Sequence, residues 1–428
     1  MGAPPGVPRQ NAAGLSRVSA YGLGMPARRL PTSHDAAAAR RTAVDGLARD
    51  ADLSELSSGW EDLVIKGVNL GNWLVLEKWM SPGLFAGTEA EDETQLSCDL
   101  ADAAKRERLT AHRDSYITER DFAFLARHGI DTVRIPVPFF IFGDYPPYVG
   151  CVEYLDRAFD WAEAHKIKIL IDLHTVPDSQ NGFDNGGMCG VCKWHQNPAH
   201  VEFALTVLEQ LTSRYRARTA LWGIEVLNEP ISEQLWDAID LPRRYPPRDP
   251  EYARGSEPVP TSFLKDFYTV AYRRIRAQSD AVTIVFHDGF RIREWAGFFT
   301  SPEFERIVVD THLYLMEYTL RTGDGDLHEY LRHIRNEFGP TVRETSHEFP
   351  LIVGEWCLEP MSAKAAAMPQ EERLDFYRSL ADAQLAAWDG TVGWFFWSYK
   401  LLVDGSNLDG WDLRKSIELG YLSEPFGR

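Results

Sequence analysis

The chain has 428 residues, of which 44% are hydrophobic and 25% are charged, and its formal net charge at pH 7 is -18. This composition is typical of a globular protein with a large core. The acidic excess argues against nucleic acid, because binding to phosphates needs clustered Lys and Arg. A neutral or weakly charged substrate fits better, and thirteen Trp and sixteen Tyr supply flat rings that suit the C–H faces of sugars.

The N-terminal region differs in composition from the rest of the chain. Residues 1–32 are rich in Gly, Pro, Ala and Arg without a period, which predicts an extended arm, and an Ala-rich segment from Ser33 predicts a short helix. We therefore predict an N-terminal extension over residues 1–60. The first thirty residues lack the apolar stretch of a signal peptide, and no later run suits a membrane span. We expect a cytoplasmic protein, or a secreted one if a leader has been removed, and the oligomeric state stays open.

After residue 60, eight short apolar runs alternate with helical patterns and polar loops. The runs are VIKGVNLG, DTVRIPV, KIKILIDLH, LWGIEVLNEP, AVTIVFHDG, RIVVDTHLY, FPLIVGEWC and GTVGWFFWSYK. Segments such as YLDRAFDWAEAHK and VEFALTVLEQLTSRYRA, which lie between them, have apolar residues three and four apart, as amphipathic helices do. Parallel strands need crossover connections, and eight such units close into a barrel. The predicted fold is α/β, a (β/α)8 TIM barrel over residues 61–428.

Polar and aromatic residues collect at the carboxyl ends of the predicted strands. These ends meet at one mouth of a barrel, where active sites of this fold lie. Each residue alone also has a structural interpretation, as a core histidine, an ion-pair partner or a packing ring. Together they predict a pocket, and its members are Arg134, His174, Asn228, Glu229, His312, Tyr314, Glu355 and Trp397.

Glu229 and Glu355, on the fourth and seventh strands, form the kind of carboxylate pair that glycoside cleavage requires. One carboxyl must protonate the leaving oxygen, and the other must be ionised to attack or stabilise the anomeric carbon. We expect Arg134 to hold Glu355 ionised and Tyr314 to donate a hydrogen bond to it, whereas the NEP motif shows no cationic neighbour for Glu229. Asn228 is expected to contact the sugar 2-hydroxyl.

The ordered set RIP, DLH, NEP, THLY, GEW and FFWS resembles glycoside hydrolase family 5, a family of retaining enzymes on (β/α)8 barrels. Within it, GVNLGNWLVLEKWMSPGLF and DLHTVPDSQNGFDNGG are similar to the exo-β-1,3-glucanase and β-glucosidase branch. The resemblance implies Glu229 as the acid/base and Glu355 as the nucleophile, surrounded by the other strand-end residues, with no cofactor. It also implies a group of residues at the non-reducing end of the donor sugar, namely Glu77, Phe183, Asp184 and Asn185.

Two segments depart from the pattern of that branch. MCGVCKWH contains Cys189 and Cys192, with His195 three residues further on, so a metal site, a local disulfide and plain thiols all stay open. Plain thiols are favoured, because no second CxxC or His pair completes a zinc ligand set. The stretch LWDAIDLPRRYPPRDPEYARGSEPVP is long and irregular, as functional or disordered loops are. Both segments fall where the leaving group would bind.

The sequence thus predicts a retaining β-glycosidase that releases glucosyl units from a β-1,3-like glucan or from small β-glucosides. One alternative is a β-glucosidase or diglycosidase that acts on aryl or other non-glucan glycosides. A catalytically inactive sugar-binding barrel would need neither carboxylate, and a metal-dependent hydrolase would rest only on the CxxC segment. Exo action is expected because Glu77, Asp184 and Asn185 would fill the space that an open cleft needs. The simpler alternative has Glu77 capping a loop and pairing with Lys78 or Arg134.

Overall fold

The computed structural model describes residues 64–403 and 408–423, so the predicted N-terminal arm and helix lie outside the described residues. Eight parallel strands close into a barrel, each paired with the next and the last with the first. The predicted (β/α)8 barrel and its eight strands are confirmed. The strands are β1 Ile65–Asn69, β2 Thr132–Val137, β3 Lys168–Leu173, β4 Leu221–Glu225, β5 Thr283–His287, β6 Ile307–His312, β7 Leu351–Trp356 and β8 Gly393–Phe396.

Helices connect the strands and cover the outside of the barrel. They are α1 Glu93–Asp99, α2 Asp102–Tyr116, α3 Glu119–Arg127, α4 Val152–His165, α5 Pro198–Tyr215, α6 Glu233–Ala238, α7 Leu241–Arg244, α8 Thr261–Gln278, α9 Leu315–Thr322, α10 Leu327–His333, α11 Gly339–Ser346, α12 Ala363–Ala366, α13 Gln370–Ala387 and α14 Leu413–Glu418. Both helical segments named from the sequence are confirmed, as α4 and α5. Within residues 64–403 and 408–423, none of the helices has the length and hydrophobicity that crossing a membrane requires.

Local sequence signals explain where α5 begins and why one face of α4 is buried. The side chain of Asn197 accepts a hydrogen bond from the backbone N–H of Ala199, and Pro198 occupies the first position of α5. Both features satisfy or remove N–H groups that a helix start leaves without partners. α4 buries Leu155, Ala158 and other apolar residues on one face, so its amphipathic pattern packs against the barrel.

The inside of the barrel has an apolar layer towards the amino ends of the strands and a polar layer towards the carboxyl ends. The apolar layer consists of Ile65, Leu170, Val285, Val308, Ile352 and Phe395. Gly67 leaves room for it, since a Cβ atom there would lie 2.2 Å from the Phe395 ring. Side chains alternate along a strand, so Asp172 and Asp310 share the inner face two residues beyond Leu170 and Val308. Hydrophobic packing therefore fills the floor of the barrel, and polar groups face the mouth.

Candidate active site

Arg134, in β2, lies at the centre of a buried charge cluster. Its guanidinium donates to both carboxylate oxygens of Glu225, at 2.7 and 3.0 Å, and lies 3.1 Å from Asp172. Burial alone would lower its pKa, but the carboxylates of Asp172 and Glu225 raise it, so the guanidinium stays charged. A buried charge is tolerated only when it is paired and hydrogen bonded, and these carboxylates meet that requirement.

Glu355, in β7, receives one donor on each carboxylate oxygen. Arg134 donates to Oε1 at 2.9 Å, and the hydroxyl of Tyr314 donates to Oε2 at 2.6 Å, so both contacts expected from the sequence are present. The residue is buried. Burial raises the pKa of Glu355 and the Glu229 carboxylate adds to this rise, whereas His312 and Arg134 act in the opposite direction. The permanent charge of Arg134 therefore offsets part of the cost of keeping Glu355 ionised.

Glu229 lies just beyond β4, which ends at Glu225, and it has a left-handed backbone with φ of 46°. This conformation is uncommon for a residue other than glycine and is found at functional sites. Its Oε1 lies 2.8 Å from Nδ1 of His312, and its Oε2 accepts a hydrogen bond of 2.9 Å from Nδ2 of Asn185. Burial would raise the pKa of Glu229, but the contact with His312 and then the bond from Asn185 lower it.

His312, at the end of β6, is the cationic neighbour of Glu229 that the NEP motif does not reveal. Burial would lower its pKa, but Glu355, Asp310 and Glu229 together raise it well above the usual value. Its Nδ1 also lies 3.4 Å from Oε2 of Glu355, so one nitrogen reaches both glutamates. Oε1 of Glu229 and Oε2 of Glu355 therefore lie no more than about 6.2 Å apart, just below the separation of about 6.5–9.5 Å that is typical of inverting glycosidases.

The remaining strand-end residues also meet at this mouth. Asn228 accepts a hydrogen bond of 2.8 Å from Arg134, and its Nδ2 lies 3.4 Å from Nε2 of His174. His174 pairs with Asp172 at 2.6 Å and stacks on Trp397, with ring centroids 5.7 Å apart and planes 11° apart. All eight strand-end residues predicted from the sequence are thus linked in one cluster.

Glu77 faces the same pocket from the loop after β1. Its carboxylate accepts a hydrogen bond of 2.8 Å from Nε1 of Trp79, and it is buried. Burial raises the pKa of Glu77 well above its usual value, and the charges of Asp184, Glu355 and Glu229 raise it further, which places these carboxylates near it. Lys78 pairs with Glu91 at 3.0 Å, so the alternative in which Lys78 pairs with Glu77 is wrong.

The two segments that depart from the branch pattern pack together into one wall beside the pocket. The long segment after β4 forms α6 and α7, and Tyr245 at its centre contacts the buried ring of Phe183, with centroids 5.3 Å apart. Further on, Ser256 accepts a hydrogen bond from the backbone N–H of Cys192 at 3.1 Å. Phe183 therefore packs against this wall. The sequence predicted an irregular long segment, whereas in the structure these contacts order it.

Cys189 and Cys192 are buried and are not bonded to each other, so they do not form the local disulfide considered from the sequence. His195 points towards Glu257, at 3.5 Å from its carboxylate. Two groups of side chains at the mouth have ligand atoms within 4.8 Å of one another, and neither group includes the cysteines. They are Glu229, His287 and His312, and Glu225, Asp310 and His312. Arg134 already contacts Glu225 and lies 4.0 Å from Asp310, and His312 contacts Glu229 at 2.8 Å. We therefore interpret both groups as parts of one hydrogen-bonded charge network.

Sequence reasoning missed four residues that hold this network together. Asn69, Asp172, Glu225 and Asp310 lie inside the barrel, fully buried. Asn69 accepts from Arg134 at 3.0 Å, and Asp310 accepts from the backbone N–H of Gly354 at 2.6 Å. A signal was present, because a charged residue within an apolar strand run, as in GIEV and VVDTH, predicts a buried polar partner.

A (β/α)8 barrel with two buried glutamates facing each other at the ends of β4 and β7 defines the class of glycoside hydrolases that use paired carboxylates. Residues 99–400 match the model of the cellulase family, glycosyl hydrolase family 5, and the chain belongs to this family. It is therefore a glycoside hydrolase, as the sequence predicted.

Two glucan 1,3-beta-glucosidases and one rutinosidase are similar to this chain. The chain is 32% identical over 401 residues to a probable glucan 1,3-beta-glucosidase A of Emericella nidulans, covering 84% of this chain and 90% of the relative. It is 30% identical to the glucan 1,3-beta-glucosidase of Schwanniomyces occidentalis, covering 87% and 90%. A solved structure of rutinosidase from Aspergillus niger shares the fold, with a TM-score of 0.65 and 22% identity over 85% of this chain and 98% of that one.

Proposed function

We propose that this protein is a retaining, exo-acting β-glycosidase that removes glucosyl units from the non-reducing end of a β-1,3-linked glucan or a small β-glucoside. The observation that carries the proposal is the contact of one nitrogen, Nδ1 of His312, with both glutamates, at 2.8 Å from Glu229 and 3.4 Å from Glu355. The two glutamates are therefore closer than the acid and base of inverting enzymes, which stand apart to admit a water. Double displacement is the mechanism that fits.

Contact with His312 lowers the pKa of Glu229 and burial raises that of Glu355, which is opposite to the roles of acid and nucleophile. The roles follow instead from whether the cation beside each glutamate can lose its charge. Arg134 cannot lose its charge in a protein, so it favours the ionised form of Glu355 throughout and suits a nucleophile. His312 can give up its proton, and the 2.8 Å contact lets that proton pass to Glu229. The imidazole and the carboxyl then share one titrating proton. A carboxyl beside a proton source suits the acid/base role.

The reaction then proceeds in two steps on these side chains. In the first step, a Glu355 oxygen forms a bond to the anomeric carbon while the bond to the leaving oxygen breaks and Glu229 supplies that oxygen with a proton. In the second step, Glu229 takes a proton from water as the water oxygen bonds to the anomeric carbon and Glu355 leaves. Two inversions at one carbon retain the β configuration. Asn228, held by Arg134, is placed to contact the sugar 2-hydroxyl.

The exo mode of action is supported by the buried carboxylates at the far side of the pocket. Glu77 and Asp184 are 2% and 5% exposed, and the charge of Asp184 adds to the rise in the pKa of Glu77 that burial causes. The hydroxyl groups of a terminal sugar can donate to these carboxylates, whereas in a continuing chain a glycosidic oxygen replaces one of those donors. A pocket that closes on a chain end releases one sugar at a time. Glucose as that sugar is supported by the names of the relatives, which are glucan 1,3-beta-glucosidases.

The test is to incubate the protein with β-1,3-, β-1,4- and β-1,6-linked gluco-oligosaccharides, aryl β-glucosides and a rutinoside, and to follow products over time. We expect glucose as the first product from the β-1,3-linked oligosaccharides, formed as the β anomer. Release of a disaccharide from the rutinoside, with the glucans untouched, would favour the diglycosidase alternative. A ladder of oligosaccharides without early glucose would contradict exo action.

A further inference from the structure

Three amide groups form a continuous hydrogen-bonded chain that ends on Glu229. The backbone N–H of Phe183 donates to Oδ1 of Asn181 at 2.9 Å, and Nδ2 of Asn181 donates to Oδ1 of Asn185 at 3.2 Å. Nδ2 of Asn185 then donates to Oε2 of Glu229 at 2.9 Å. The chain lies in the NGFDNGG segment, whose Asn185 the sequence associated only with the donor sugar.

The direction of this chain is fixed at its far end. A backbone N–H can only donate, so the atom of Asn181 that faces Phe183 must be its oxygen. The amide nitrogen of Asn181 then faces Asn185, and Asn185 must turn its own oxygen towards Asn181 and its nitrogen towards Glu229. A side-chain amide on its own could turn either way, whereas this one has only one satisfied orientation.

Burial makes the alternative orientation costly. Asn181 and Asn185 are 0% and 2% exposed, so bulk water does not reach either amide to replace a lost partner. Oδ1 of Asn181 accepts a second hydrogen bond, from the hydroxyl of Ser179 at 3.3 Å. A Cβ atom at Gly186 would lie 2.2 Å from Oδ1 of Asn181, so only glycine lets the loop close over this amide.

We propose that Asn181 and Asn185 form a directional amide relay that keeps an N–H donor on Oε2 of Glu229 and thereby favours the carboxylate form that activates water in the second step. This inference rests on the proposed function, because it assigns positioning residues to the acid/base of that reaction. The relay has a cost in the first step, where Glu229 must carry a proton. Oε1, beside His312, remains the oxygen on which that proton is accommodated.

Other charged or titratable groups also face Glu229 and contribute to its titration. His312 approaches from β6 and His174 from the end of β3. Glu355 of β7, Tyr314 after β6 and Glu77 after β1 interact with its charge, and a ring nitrogen of His287 of β5 lies within 4.8 Å of its carboxylate. The relay differs from all of them because it is uncharged at any pH. Its removal therefore changes the titration of Glu229 without changing the net charge of the pocket.

The test compares the pH profiles of wild type, Asn185→Leu and Asn181→Asp on an aryl β-glucoside. Asn185→Leu removes the donor at similar volume, so the basic limb of kcat/KM, which reports loss of the Glu229 proton, should rise by about one pH unit. Asn181→Asp still accepts from Phe183 but cannot donate to Asn185. Asn185 should then turn its oxygen towards Glu229. The basic limb of kcat/KM should again rise, by at least as much as in Asn185→Leu. On a dinitrophenyl glucoside at pH 6, Asn185→Leu should lower kcat about tenfold and kcat/KM much less, because the second step suffers most.

Gln196→Leu is the matched control, since it removes an amide from the same wall that bonds only outside the relay, to Gly255 at 2.8 Å and Glu257 at 3.2 Å. It should keep the profile of wild type. Basic limbs at the wild-type position in Asn185→Leu and Asn181→Asp, with activity lower at every pH, would overturn the relay. So would a shift in Asn185→Leu alone. Asn185→Ala also removes the donor without adding a charge, so it decides the matter if Asn185→Leu does not fold. A shift in Asn181→Asp alone would be the effect of its added carboxylate and would also overturn the relay. A wild type inactive on every glycoside would instead overturn the proposed function.

Discussion

The hydroxyl of Tyr314 donates a hydrogen bond of 2.6 Å to Oε2 of Glu355. Arg134 occupies the other oxygen at 2.9 Å, so each oxygen of this carboxylate has a donor of its own. Hydrogen bonds to an ionised carboxylate favour that form and orient its lone pairs. These two hydrogen bonds thus explain how Glu355, in a buried strand, is kept ionised and oriented to attack an anomeric carbon.

Tyr314→Phe should lower kcat/KM for an aryl β-glucoside about 10- to 100-fold, the effect of losing one hydrogen bond to a charged group. The lost donor raises the pKa of Glu355, so the acid limb of the profile should move to higher pH. Tyr318→Phe, a tyrosine of α9 that packs on Tyr330, is the matched control and should behave as wild type. An acid limb that does not move in Tyr314→Phe would show that this hydroxyl does not act on the nucleophile.

The two glutamates should differ in how their removal depends on the leaving group. Glu355→Ala should abolish turnover of every glycoside, because no leaving group can replace a missing nucleophile. Glu229→Ala should retain a burst of nitrophenolate from an activated glycoside, since that anion leaves without a proton, while hydrolysis of oligosaccharides should be lost. Stopped-flow measurement of the first turnover distinguishes the two. A burst in Glu355→Ala and none in Glu229→Ala would reverse the assignment.

Glu77→Ala should weaken binding of the terminal sugar. The lost contact is made in the ground state and in the transition state alike, so KM for a β-1,3-linked trisaccharide should rise about 10- to 100-fold with kcat little changed. Glu91→Ala, which removes a more exposed carboxylate from the same loop, is the control and should leave KM unchanged. An unaltered KM in Glu77→Ala would mean that this carboxylate does not recognise the chain end.

The barrel and the membership of the pocket could be predicted from sequence because both depend on local patterns. Apolar runs fix the strands, and the residue that follows each run necessarily lies at the mouth. His174, directly after β3, was accessible in this way, whereas Arg134 lies inside β2 and Glu355 one residue before the end of β7. The extension over residues 1–60 lies outside the described part of the chain and stays a prediction.

The contact of His312 with both glutamates could not be predicted, because it depends on strand register. His312 pairs with Glu355 in the ladder only because the register between β6 and β7 shifts between Thr311 and His312. Such a shift re-aims a side chain and leaves no signature in the sequence. The bond from Asn185 to Glu229 depends on how a loop folds over the end of β4, which short motifs do not specify.

Glu359 should make the stability of the protein depend on pH. Burial raises its pKa from 4.5 to about 8, although the hydroxyl of Tyr377 and the backbone N–H of Met361 donate to it. The folded state thus binds a proton that the unfolded state releases, so stability falls as pH rises from about 4.5 to about 8. Glu359→Gln should remove this loss. The gain in the free energy of unfolding that the substitution causes should therefore be about 2–4 kcal/mol larger at pH 8 than at pH 5. Urea unfolding of wild type and Glu359→Gln at pH 5 and pH 8 measures this difference. If the substitution changes stability equally at the two pH values, Glu359 is not protonated in the folded state.

The most direct test of the central claim, that Glu355 is the nucleophile of a retaining glucosidase, is covalent trapping with dinitrophenyl 2-deoxy-2-fluoro-β-glucoside. The fluorine slows both steps and the activated leaving group speeds the first, so the glycosyl-enzyme should accumulate. We expect inactivation with one fluoroglucosyl group per chain, located by peptide mass spectrometry on Glu355 and absent from Glu355→Gln. A label on Glu229 or any other residue, or hydrolysis of the parent β-glucoside with inversion, would contradict the account.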